Sequence, residues 1–146
     1  MFKRILVPLD GSTFSELALS AAREIASCDG GEIILARVDE RYEPPPGLFV
    51  PVSALPEVTQ LSVGEYLQQH EQRLRASGFK ASSAVLEGKV ASAIVRFARE
   101  ADVDLIVMCT HGRTGLRRLL MGSVAEGVMR SAPCPVMLIR PVHWPE

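Results

Sequence analysis

Residues 4 to 38 read RILVPLDGSTFSELALSAAREIASCDGGEIILARV, an apolar run, a helical period and a second apolar run. "RILVPL", residues 4 to 9, is too short and too branched for a buried helix and ends at the turn signal Asp10-Gly11-Ser12, so it reads as a buried strand. Thr13 and Glu16 then read as a T-x-x-E capping box, with Phe14, Leu17, Ala18, Ala21 and Ile25 following at helical spacing until Gly30-Gly31 ends the run. "EIILARV", residues 32 to 38, is the second strand.

The pattern repeats downstream. Residues 39 to 62 lose periodicity and include Pro44-Pro45-Pro46, a long loop for a compact domain. Val63, Leu67, His70 and Leu74 mark a helix opened by the S-x-x-E of Ser62 and Glu65 and closed by Gly78. "ASSAVLE", residues 81 to 87, is a more polar strand, and Val90, Ile94, Phe97, Ala98 and Ala101 mark another helix. "DLIVMCT" (104 to 110) and "CPVMLIR" (134 to 140) are two further strands, separated by a stretch rich in glycine and arginine and a helix beginning near Ser123. Apolar strands alternating with amphipathic helices argue for an α/β fold, an open parallel sheet with helices on both faces and right-handed crossovers. Ligands in such sheets bind beyond the carboxyl ends of the strands, where strand order reverses.

Neither a repeat nor a linker divides the chain, so residues 1 to 146 are expected to form one domain burying about 70% of the unfolded surface. A net charge of −1 gives no general attraction to nucleic acid or membrane. Cys28, Cys109 and Cys134 have neither the number nor the spacing of a disulfide framework or zinc site, which suits a reducing compartment. No apolar run approaches the length of a membrane span and the start lacks a secretory signal, so a cytoplasmic protein is expected.

The chemistry concentrates in MCTHGRTGLRRLLMGS, residues 108 to 123. Glycine lets backbone approach a ligand, arginine favours phosphate or carboxylate, and Ser123 stands at a helix start, so the stretch suggests an anion site. Ser123 and Glu126 also form an ordinary capping box, which leaves Gly122 and the turn at Gly112 and Arg113 unexplained. Arg117 and Arg118 read more simply as solvated charges. Asp10, at the end of the first strand, is either a turn former or a carboxylate for a ribose hydroxyl or a phosphate-bound metal. His70 reads as packed at the edge of the core, and His111 lacks an identifiable orienting carboxylate.

"ILVPLDGS" near the start and "LIVMCTHGRTGLRRLLMGSVAEGVMRSAPCPVMLIR" near the end resemble the universal stress protein family, as does the order of elements throughout. The resemblance implies a five-stranded, Rossmann-like sheet of order 3-2-1-4-5. In the family's ATP-binding branch the phosphate loop runs glycine, two residues, glycine, nine residues, then Gly-Ser or Gly-Thr. Here Gly112, Gly122 and Ser123 match, and Cys109 stands at the first glycine. By that resemblance Pro8, Leu9, Asp10 and Val38 would hold adenine and ribose, Met108 and the Cys109 backbone would border them, and Gly112, Arg113, Gly122, Ser123 and Val124 would cradle the phosphates. The implied ligand is ATP, or ADP or AMP, with Mg or Mn on its phosphates. A cysteine at the first glycine narrows the pocket if that position needs positive φ or close backbone approach, and is tolerated if only its amide matters.

There is no Gly-Lys-Ser/Thr phosphate loop and no nucleophile elbow at Ser123, so at most weak ATP hydrolysis is expected, and the resemblance implies a nucleotide-binding, stress-response regulatory protein. Two alternatives stand beside it, a nucleotide-free dimeric scaffold of the same family and a slow ATP-hydrolysing enzyme. The last strand is apolar and, in the implied order, at a sheet edge, so a homodimer through Val136 to Ile139 is expected.

Overall fold

The computed structural model describes residues 1–39, 62–110 and 122–140. Five parallel strands, β1 (Arg4–Pro8), β2 (Glu32–Val38), β3 (Ala81–Leu86), β4 (Leu105–Cys109) and β5 (Val136–Ile139), form one sheet of order β3-β2-β1-β4-β5. The helices are α1 (Thr13–Asp29), α2 (Val63–Ala76), α3 (Val90–Glu100) and α4 (Ser123–Ser131). Side-chain alternation sends Ile5, Val7, Ile33, Leu35 and Val107 to the face covered by α1 and α2. Leu6, Ile34, Ala36, Ile106 and Met108 go to the face covered by α3 and α4. Both faces of the central strands are therefore buried, and those strands read as continuous apolar runs for that reason. The α/β class and the order 3-2-1-4-5 hold.

Three local expectations are corrected. The N-cap of α1 is Ser12, not Thr13: Ser12 Oγ accepts from Ser15 N–H at 3.1 Å, and Glu16 reaches across to α2 instead of back to its own helix start. Leu17, expected on the buried stripe, is 43% exposed, because the face against the sheet runs through Ser15, Ala18, Ala22 and Ala26. These small residues let α1 lie close to the strands. The third correction is at α4, whose N-cap is Gly122 with no side-chain cap, so Ser123 is the first helical residue and the Ser123/Glu126 box does not form. Glu126 pairs with Arg130 one turn on. At α2 the Ser62/Glu65 box is present in full, with Glu65 N–H donating to Ser62 Oγ and Ser62 N–H to Glu65 Oε2.

Most of the expected loop of residues 39 to 62 (residues 40–61), His111, Gly112, Arg113, Arg117, Arg118 and residues 141–146 lie outside the described residues. No helix among the described residues is long and apolar enough to cross a membrane.

Candidate functional site

Strand order reverses between β1 and β4, since the chain leaves β1 toward β2 on one side and later passes to β4 on the other. An open cavity of about 220 Å³ lies at the carboxyl ends of the two strands. Its walls differ in chemistry. Pro8, Ala36, Val38 and Met108 from the strands, with Val90 and Ile94 from α3 and Val124 from α4, make an apolar side. Asp10, Ser15, Arg37, Thr110 and Ser123 supply polar groups along the rim.

The turn after β1 is held by its own side chains. Asp10 Oδ1 accepts from Ser12 N–H at 2.8 Å and from the Ser12 hydroxyl, and Ser15 Oγ accepts from Asp10 N–H at 3.3 Å. Gly11 sits at φ 86°, in the left-handed region that disfavours other residues. Asp10 is therefore a turn former and a wall of the cavity at once.

Across the cavity, Gly122 N–H donates to the Thr110 carbonyl at 2.7 Å, tying the start of α4 to the end of β4. The first-turn amides of a helix have no partner within it, and the N-cap here, Gly122, has no side chain to offer them. Together with the positive end of the helix dipole they favour an anion. Cys109 is buried at 6% exposure as the last residue of β4, in register with Ile139. Asp102 is the one non-glycine at positive φ among the described residues, so Cys109 sits there without backbone strain. Positive φ is not demanded of the residue at this position, and only the volume of its side chain bears on the cavity.

Behind the rim, α1, α2 and β2 bring four polar side chains together. Glu16 Oε1 accepts from the Tyr66 hydroxyl at 3.1 Å and lies 3.3 Å from His70 Nε2. Tyr66 and His70 meet edge to face at 4.8 Å, and the Arg37 guanidinium lies 4.9 Å from the centre of the Tyr66 ring. Burial, and then the Glu16 carboxylate, push the Tyr66 hydroxyl well above its ordinary value, while Arg37 draws it part of the way back. His70 is at the core's edge, as its place on the α2 stripe implies, and pairs with Glu16 there.

Of the residues singled out in the sequence, Pro8, Leu9, Asp10, Val38, Met108, Cys109, Gly122, Ser123 and Val124 all line this one cavity. Gly112 and Arg113 lie outside the described residues. Sequence reasoning passed over Ser15, Ala36, Arg37, Thr110 and Ala125, and read Val90 and Ile94 only as positions on a helix stripe. Arg37 carried a signal, being the one charged residue inside the apolar run IILARV. Among the described residues no three His, Cys, Asp or Glu side chains cluster as a metal site requires.

Residues 1–140 match the Universal stress protein family. The chain is 35% identical over 144 residues to universal stress protein MJ0531 of Methanocaldococcus jannaschii, spanning 96% of this chain and 83% of that protein. The solved structure of MJ0577, a universal stress protein of the same organism, aligns at a TM-score of 0.77 and 26% identity over 97% of each chain. That of the Archaeoglobus fulgidus universal stress protein in complex with dAMP aligns at 0.64 and 25% identity, over 94% of this chain and 98% of that one. Family match, sequence identity and strand order agree, and the chain belongs to the universal stress protein family.

Proposed function

We propose that the chain is a nucleotide-binding regulatory protein of the family's ATP-binding kind, with Cys109 at the first position of the phosphate loop. The observation that carries the reading is the union, in one cavity at the sheet's switch point, of an apolar wall and an uncapped helix N-terminus. A purine packs on the wall beside Val38, Val90 and Ile94, and its phosphates meet the amides at the start of α4. The dAMP bound by the Archaeoglobus fulgidus relative supports an adenine nucleotide. Several charge-assisted hydrogen bonds of about 1.5 to 3 kcal/mol each reach the roughly 8 kcal/mol of micromolar affinity. A Mg or Mn ion, satisfied by phosphate oxygens and water, needs no cluster of protein ligands, and Asp10 is a carboxylate that lines the cavity.

Hydrolysis is slow or absent in this reading. Asp10 is the one acid among the described lining residues, and its Oδ1 is engaged by Ser12. Calorimetry on nucleotide-stripped protein tests the proposal: ATP binds the wild type and binds Gly122→Ala more weakly. Absence of binding at millimolar ATP overturns it in favour of a nucleotide-free scaffold.

A homodimer through β5 belongs to the same proposal. β5 is an edge strand, and Met137 on it is 38% exposed. Light scattering at micromolar concentration gives a dimer mass, and a monomer mass overturns this part.

A further inference from the structure

We infer that Arg37 recognises a second anionic group on the ligand, a phosphate ester on the ribose 2′ or 3′ oxygen, and so determines which nucleotides the site prefers. The inference rests on the nucleotide reading above.

Arg37 is held but chemically unspent. Its guanidinium lies over the Tyr66 ring and against Gly11, where an added Cβ would come 3.1 and 3.2 Å from its two terminal nitrogens. Among the described residues it makes no hydrogen bond and no ion pair. Among the described residues no buried side-chain nitrogen lacks a partner, so these donors open onto accessible space, and Arg37 lines the cavity. The two nearby carboxylates are committed elsewhere: Asp10 Oδ1 accepts from Ser12, and Glu16 Oε1 meets Tyr66 and His70.

Position selects the group that Arg37 meets. The rim runs from β2 through β1 to β4, and α4 starts beyond β4. The Arg37 guanidinium lies between Gly11, just past β1, and Tyr66 of α2, while α4 starts beyond β4, one strand spacing of about 4.8 Å from β1, so Arg37 and the α4 amides flank the cavity. With the 5′ phosphate at α4 and the base on the apolar wall, the ribose faces the β1 and β2 rim. There Asp10 suits a hydroxyl, which can donate to it, while Arg37 offers a planar fork of donors and no acceptor, which suits an oxyanion. In parallel sheets of this kind an arginine near the end of the second strand is a known means of accommodating a ribose phosphate.

Calorimetry compares 5′-AMP with adenosine 2′,5′-bisphosphate and 3′,5′-bisphosphate on wild type, Arg37→Met and Arg37→Lys. The wild type binds one of the bisphosphates about tenfold or more tightly than 5′-AMP. Arg37→Met, which retains the apolar stem over Tyr66, abolishes that preference and leaves 5′-AMP within about threefold of wild type, and Arg37→Lys retains part of it. Arg37→Gln replaces the Met variant if a thermal melt shows the latter unfolded. Equal binding of mono- and bisphosphates by the wild type, or a preference that survives Arg37→Met, overturns the assignment and leaves the nucleotide reading intact. Failure of the wild type to bind 5′-AMP, ATP and both bisphosphates overturns both.

Discussion

A Cβ built on Gly31 would stand 2.5 Å from the Phe2 carbonyl oxygen, a backbone atom that cannot swing aside. The chain passes there between α1 and β2, where Glu32 N–H donates to the Lys3 carbonyl at 2.8 Å, so the glycine is fixed by a neighbour and not by its own φ. Gly31→Ala is expected to cost about 2 kcal/mol in urea denaturation, with the midpoint moving and the slope unchanged. Tyr66 sets a second expectation at this scale. Its hydroxyl is raised above the ordinary value of 10.0 by burial first and by Glu16 next, so the fold favours the protonated form. The stabilisation is complete below the pH at which an unfolded tyrosine ionises and is lost as pH climbs beyond it, because only the unfolded chain then releases the proton. Denaturation of wild type and Tyr66→Phe at about pH 8 and about pH 11 checks this, with wild type losing more stability over the interval.

Among the helices, α2 shows most directly how local chemistry starts an element. Its reciprocal Ser62/Glu65 box satisfies donors that the helix cannot satisfy itself, and Ser62→Ala is expected to cost about 1 kcal/mol by the same denaturation assay. Gly64, in the first turn, has nothing within 4 Å of the place a methyl group would take, so Gly64→Ala should stabilise by up to about 1 kcal/mol. The same element also shows what is legible in a sequence. Strand and helix identities follow from apolar period alone, and β2 and the start of α2 fall where the residues place them. The starts of α1 and α4 do not, because Ser12 and Thr13, or Gly122 and Ser123, are adjacent residues that can each cap a helix, and one step of rotation about the axis decides between them. Arg37 was missed for a related reason. Period assigns a strand residue to a face, but not the path of a long side chain that leaves β2, crosses Gly11 and ends against α2.

For the whole molecule, the cavity draws its walls from β1, β2, β4, α1, α3 and α4, so a ligand there touches elements on both faces of the sheet. A nucleotide at a hundred times its dissociation constant should stabilise the fold by about 2.7 kcal/mol, read as a concentration-dependent rise in melting temperature. A melt insensitive to ATP would contradict binding to the folded state. The switch point that makes this possible was readable from the alternation of strands and helices, whereas the distribution of apolar and polar groups around the rim required the folded chain. The bond from Gly122 N–H to the Thr110 carbonyl carries a separate implication for how such proteins diversify. It joins Thr110 to Gly122 directly, so β4 and α4 keep their relative position when the residues between them in sequence are exchanged or lengthened. Doubling the length of such a closed segment costs only about 0.6 kcal/mol in chain entropy. On the nucleotide reading proposed above, exchange of residues 111–121 is expected to alter ligand choice at little expense to the scaffold.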